Sequence, residues 1–442
     1  MAPSLRSGLG WLVGAALAGS SLTGCASDLQ TRQAVADFSR ADFGAAAVGF
    51  RPAAERRPLD ENSLLNNARL GMASLAAGDV NSASNALRTA YQLLESGNVN
   101  DEGRIFAATV LSDGALVYKG EPYEQAMTYT ALAWVSALRG DWENVRVAAR
   151  ASVRRLADFK DADPSGKDRF SREGVKLVES TFALGYLMEG IANRVLGEAD
   201  DQPLDRAVAL NASLRPLADA VRAGRFNALL VVESGRGPRK DSYGEDGAST
   251  RWVPRDPPAG DLRVGIGGPF VTVAPAADVN RMSADYRWNN LEDARRFKSG
   301  LGSVLVIGGI TTAAASNNKD AQIAGLAAAG AGLLMKLLAS ADTRHNELIP
   351  GEVFVAALEL PPQGADIGIS FSGGRSAPLS VPGVRPGTAS APTVIYLRSL
   401  ASHGVPVRPV TTWTYESQQM AREADHDAEA AWESEVRGSE PR

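Results

Sequence analysis

Twice in this chain an apolar run of helical spacing stops at Gly-Asp and a second run starts at once: "LAAGDVNSASNAL", Leu75 to Leu87, and "ALRGDWENVRVAA", Ala137 to Ala149. Glycine supplies the left-handed conformation that ends a helix, and aspartate caps the next. Gly78 with Asp79 and Gly140 with Asp141 therefore predict two antiparallel helix pairs. In the second pair Tyr129, Leu132, Ala133, Val135 and Leu138 face Val145, Ala148 and Ala149 across the turn. A later pair, Val175 to Leu196 and Pro203 to Val221, is joined by the looser "GEADDQ".

Stacked pairs with small residues at their contacts resemble tetratricopeptide repeats, although the two clearest copies are 62 residues apart. A helix over Asp101 to Val117 fills that gap. Residues 59–225 are accordingly expected to form a TPR-like array, whose extended concave face suits a protein or peptide partner. A plain helical bundle that only supports the second half fits the same pattern.

At Phe226 the texture changes. "FNALLVV" has strand length and is followed by a loop rich in Gly, Pro and charge, residues 233–261. "LRVGI" and "FVTVAP" (262–275), "EVFVAALEL" (352–360), "ADIGISFS" (365–372) and "TVIYLRSL" (393–400) continue the strand-like texture, several with period-two alternation such as Ile367, Ile369 and Phe371. Short strands with tight connections predict a mostly antiparallel sheet over 226–411, so the fold class is α+β. Within it, residues 300–339 read as a Gly/Ala-rich helical hairpin about the turn "SNNKD". Small residues four apart, such as Gly325 with Ala329 and Ala328 with Gly332, let helix backbones approach closely, either inside a protein or in a bilayer.

Cysteine occurs once, at Cys25, straight after the apolar stretch Leu9 to Ala18. That stretch follows Arg6, is too short to span a bilayer, and has the parts of a secretory signal. Leu22, Thr23, Gly24 and Cys25 resemble the lipobox of bacterial lipoproteins, which implies cleavage before Cys25 and acylation of its thiol. The alternatives are an ordinary signal peptide and an uncleaved N-terminal anchor. Lipidation also gives the unpaired thiol a use, because two or more acyl chains at about 0.8 kcal/mol per buried methylene hold a protein stably. Ala26 and Ser27 stand where an Asp would imply inner-membrane retention, so the resemblance implies the outer membrane, periplasmic face. Residues 1–24 are the expected signal and 25–58 the expected anchor and linker.

Charge is uneven. Residues 416–442 carry eight acidic and three basic side chains, a net of minus five that equals the formal charge of the whole chain. The acidic tail, 412–442, reads as a solvated, partly helical extension or a docking peptide. The balanced remainder has no basic face suited to nucleic acid.

Three segments resemble an uncharacterised family of bacterial lipoproteins with TPR-like repeats: "YKGEPYEQAMTYTALAWVSALRGDWENVRVAARASVRRL" (118–156), "VVESGRGPRK" (231–240) and "ADTRHNELIP" (341–350). The second matches E-x-G-x-x-P-x-K through Glu233, Gly235, Pro238 and Lys240. The third matches A-D-T-R, with Asn346 where the family more typically carries tryptophan. The resemblance implies an envelope lipoprotein, associated as a class with curli-export and penicillin-binding-protein-activator lipoproteins. Read physically, Glu233 ends an apolar strand and Arg236, Arg239 and Lys240 follow, a turn suited to an anion or to a local ion pair. Asp342 and Arg344 suit a structural clasp or a ligand site.

Catalytic patterns are absent from the sequence. His345, His403 and His426 have no metal-ligand spacing, and "GISFSG" only approaches G-x-S-x-G. "SNNK", "SGN" and "KSG" occur in the wrong order for penicillin-binding chemistry, and "GIGGPF" and "GAGLLMK" lack the endings of nucleotide cradles. The expectation is a cofactor-free, membrane-tethered interaction scaffold for an envelope partner. The alternatives are a hydrolase or transferase using Glu233 and a subunit of an export assembly.

Overall fold

The computed structural model describes residues 29–96, 118–157, 160–161, 176–177, 181–243, 249–285, 342–373, 378–400, 409–413, 415–417 and 419–420. The lipobox, the expected helix over 101–117, the Gly/Ala hairpin and most of the acidic tail lie outside them.

The protein is α+β, with helices first and a mostly antiparallel sheet region after. Helices α1 (29–39), α2 (Phe43–Ala54), α3 (Ser63–Ala77), α4 (Val80–Glu95), α5 (Pro122–Leu138), α6 (Trp142–Ala157), α7 (Ala183–Val195), α8 (Gln202–Leu210) and α9 (Arg215–Arg222) precede it. Both Gly-Asp turns form as their chemistry dictates. Gly78 sits at φ 86°, the amide of Asp79 donates to Ser74 O at 2.9 Å, and the Asp79 carboxylate caps α4 by accepting from Ser82 N at 3.0 Å. Gly140 (φ 72°) and Asp141 repeat this, with Asp141 N on Ser136 O at 2.9 Å and Asn144 N on Asp141 Oδ1 at 3.2 Å.

The segment expected to be a linker, 25–58, is helical from residue 29, and its Phe38, Phe43 and Phe50 are buried in the main core. Phe38 lies near the end of α1 and Phe43 and Phe50 lie seven apart on α2 among alanines, so each helix has an apolar side that must be covered. α3 is buried along nearly its whole length, since α2, α4 and α5 all pack on it.

A short ribbon pairs β1 (Lys160–Asp161) with β2 (Lys176–Leu177). Beyond α9 come β3 (Ala228–Ser234), β4 (Arg239–Tyr243), β5 (Ser249–Val253), β6 (Leu262–Ile266), β7 (Val271–Val273), β8 (Ala277–Asp278), α10 (Val279–Asp285), β9 (Glu352–Leu358), β10 (Ala365–Phe371), β11 (Leu379–Val384), β12 (Thr393–Ser399) and β13 (Val410–Thr411). One sheet has the order β13-β12-β3-β9-β8, in which only β12 and β3 are parallel, and another the order β11-β10-β6-β7.

β3 is buried on both faces, and its alternation explains the layering. Ala228, Leu230 and Val232 join Ile367, Ile369, Phe371 and Leu262 between the two sheets. Leu229 and Val231 point the other way and join Phe38, Trp134 and Leu138 from the helices. The helices, the five-stranded sheet and the four-stranded sheet thus form three layers, and the helical half shares its main core with the sheet.

The stretch read as a loop, 233–261, contains the β4–β5 hairpin, with Arg239 opposite Val253 and Lys240 opposite Trp252. Its charges hide the alternation, and Trp252 is what fixes it: the indole packs edge-on against Tyr123 at 5.0 Å and under the Lys240 ammonium at 5.5 Å.

Candidate functional site

The residues singled out by sequence fall into two places. The first is the helix-facing side of β3, where alternation sends Glu233 into the core with 5% exposure. Register pairs it with Arg398 on β12, itself 2% exposed. Tyr396, two residues earlier on the same face, donates its hydroxyl to Glu233 Oε2 at 2.8 Å.

Burial pushes the Glu233 carboxyl above its usual range, against the pull of the Arg398 charge and the Tyr396 hydroxyl. The indole N–H of Trp134 favours the charged form too, yet closes no hydrogen bond of ordinary geometry. Arg398 donates through Nη2 to Leu348 O at 3.2 Å and stacks over Phe38 at 5.5 Å, while Nε and Nη1 close no hydrogen bond. A carboxylate and a guanidinium walled in this way stabilise one another; neither is open to a substrate.

The second place is the seam where the start of α5 meets β4, β5 and the segment 342–350. Pro122 sits at the first helical position, and Glu124 turns back so that its Oε2 accepts from Glu121 N at 2.8 Å. Its Oε1 accepts from the Tyr118 hydroxyl at 2.8 Å and from Asn346 N at 2.7 Å. Burial pushes the Glu124 carboxyl up to about 7, although the amides of Asn346 and Glu121 and the Lys240 charge oppose this.

Lys240, its side chain 7% exposed, reaches across to Glu121 at 2.6 Å. Arg344 is bidentate on Asp342 at 2.8 to 3.0 Å, donates to Asn62 Oδ1 at 3.0 Å and lies over the Tyr118 ring. Arg69 of α3 pairs with Glu347 at 2.6 Å. Glu124 and Trp134 are ten residues apart on α5, so the two places are separated by roughly 15 Å along that helix.

Glu233 is therefore not brought together with Lys240, Asp342 and Arg344. The turn between β3 and β4 does hold an anion, and the anion is internal. Asp256 accepts from Arg236 N at 2.7 Å and from its guanidinium at 2.7 to 3.2 Å. Gly235, at φ 66°, gives its amide to Ser399 O, and Gly237 gives its amide to Ile349 O. Pro238 is buried, and Arg239 is exposed beside Asp241.

Arg398, Tyr396, Asp256, Glu121 and Glu124 were not singled out by sequence, and Asn346 only as a departure from the resembling family. One signal was available: an arginine inside the apolar run "TVIYLRSL" matches a glutamate at the end of "FNALLVVES". Lys240→Met keeps the stem over Trp252 and removes the ammonium. The expected loss is about 1 to 2 kcal/mol, read as a lower urea midpoint. An unchanged midpoint would mean that Glu121 is equally content with solvent.

Among the described residues no group of three His, Cys, Asp or Glu side chains is placed to hold a metal ion. A cleft of about 680 Å3 lies away from both places, against Ile266, Gly267 and the turn 359–366, with Glu359 and Asp366 at its wall. Among the described residues no helix is long and apolar enough to cross a membrane. Comparison with family models, with curated proteins and with solved structures finds no match.

Proposed function

We propose that the chain is a lipid-anchored protein of the outer membrane, facing the periplasm, whose TPR-like helical unit docks an envelope protein and which carries out no reaction of its own. One observation supports this reading most. The charged groups a catalytic site would need are turned inward as joints: Glu233 to Tyr396, Lys240 to Glu121, Arg344 to Asp342 and Asn62, and Arg236 to Asp256. Side chains already committed to partners inside the protein are not free to bind substrate, which leaves the outer surfaces to carry the function.

A photo-crosslinker at Val147, exposed on α6, is expected to give a discrete adduct with an envelope protein in intact cells. No adduct from any exposed helical position, together with a hydrolytic activity lost in Glu233→Gln, would overturn the scaffold in favour of the enzyme. For the anchor, Cys25→Ser should leave an unprocessed precursor that incorporates no labelled fatty acid. Normal lipid labelling of that variant would refute lipidation at Cys25.

A further inference from the structure

We propose that the protein rests on the bilayer through one fixed face, made by the α1–α2 hairpin and the loop 55–59, and that this face is occupied by the phospholipid leaflet holding the acyl chains of Cys25. The inference rests on the lipid-anchor reading above. α1 begins at residue 29, four positions after Cys25. At no more than about 3.6 Å per residue, the first residue of α1 lies within roughly 14 Å of the lipidated residue.

The hairpin fixes what that tether brings down. A Cβ at Gly49 would stand 2.7 Å from Ala34 Cβ and 3.8 Å from Gln30 O, so α2 runs back along α1 and its C-terminal end lies beside residue 29. The inner stripe, Ala34, Phe38, Phe43 and Phe50, is consumed by the core. Exposed in the same stretch are Leu29 at 66%, Val48 at 68% and Leu59 at 49%, so three of the eight large apolar side chains exposed among the described residues fall within 31 positions beside the tether.

The charges there are mixed, with Asp42 capping α2 at the far turn and Glu61 exposed next to the loop. Glu55 and Asp60 are already paired with Arg51 and Arg56. Among the described residues Arg57 donates only to Arg56 O, and Arg32 has no ionic partner. Apolar side chains beside arginines whose stems lie along the interface are the composition of a surface-seated helix. So small a patch binds lipid marginally by itself, but a tether of a few residues raises its effective concentration to the millimolar range. The patch then orients the anchored protein and presents its remaining surfaces in one direction.

The test uses full-length lipidated protein in vesicles of phosphatidylethanolamine with phosphatidylglycerol. Because acylation consumes the Cys25 thiol, a single new cysteine can carry a fluorophore, at Val48→Cys or Leu59→Cys, with Val147→Cys and Val271→Cys as controls. A quencher on the lipid headgroup is expected to act roughly threefold or more strongly at 48 and 59 than at the controls. Adding Leu29→Asp and Arg57→Glu should bring position 59 down to the control level. Equal quenching at all four positions, or the strongest at 147 or 271, overturns the proposal. Acylation of Cys25 is read by mass on the same sample: an unacylated Cys25 sinks the anchor and this inference together, whereas an acylated Cys25 with uniform quenching sinks the inference alone.

Discussion

Replacing Arg398 by alanine is expected to destabilise the protein by about 3 to 5 kcal/mol, because it strands a buried carboxylate. Arg398 and Glu233 are both almost fully buried and stand side by side on parallel strands. With the guanidinium gone, Glu233 keeps the Tyr396 hydroxyl as its hydrogen-bond donor at 2.8 Å. Burial already lifts its carboxyl above the ordinary range, so the variant should take up a proton at Glu233 on folding. Its loss of stability is therefore expected to be smaller in acid than at pH 8.

The double variant Arg398→Met with Glu233→Gln separates charge from shape. It removes both charges while filling most of the volume, and such exchanges are often neutral or stabilising. Urea unfolding of the two single variants and the double is expected to give a coupling energy of up to about 3 kcal/mol. Strictly additive losses would mean that the pair is coincidental, and that Arg398 matters only through its contacts with Phe38 and Leu348.

How far the sequence reveals these joints depends on how local each signal is. Gly78-Asp79 and Gly140-Asp141 were legible because a left-handed glycine and a capping carboxylate act within six residues, and both turns form as their chemistry requires. Strands β3, β9 and β12 were legible as short apolar runs and β6 and β10 by alternation, both of which are properties of the strand itself. The linker reading of 25–58 failed since Phe38, Phe43 and Phe50 need a partner surface to become a stripe, and that surface is contributed by distant elements.

The same distinction governs the site. Glu233, Lys240, Asp342 and Arg344 stood out as charges in tidy motifs; Asp342 and Arg344 pair with each other two residues apart, but the other partners are remote: Tyr396 lies 163 residues from Glu233, and Glu121 lies 119 from Lys240. Spacing along the chain carries no information about such pairs. Asn346 shows this well. At the position where the resembling family carries tryptophan, its amide binds Glu124, its side-chain oxygen accepts from Leu348 N and its side-chain amide faces Met72 Sδ. A small polar residue can therefore close this seam.

That seam should also make stability depend on pH in a direction opposite to most carboxylates. Glu124 is raised to about 7 in the folded protein from 4.5, burial being the main cause. Folded protein therefore binds more protons at this site than unfolded protein between those values. The contribution is fully present below about pH 4.5, falls as pH rises and levels off above about 7, a span of about 3 kcal/mol. Glu95, Asp256 and Glu347 are lowered instead and act with the opposite sign, so the whole-protein profile mixes them. The difference between wild type and Glu124→Gln isolates the term. Glutamine keeps one oxygen for Tyr118 and Asn346 but turns an NH2 towards Glu121 N–H, a loss of about 1 kcal/mol at a helix cap. The variant should accordingly be less stable than wild type by about 1 kcal/mol at pH 4, roughly equal to it near pH 5, and more stable by about 2 kcal/mol at pH 8. A stability difference that stays constant across that range would show that Glu124 remains ionised in the folded protein, held so by its three donors and Lys240 against the cost of burial.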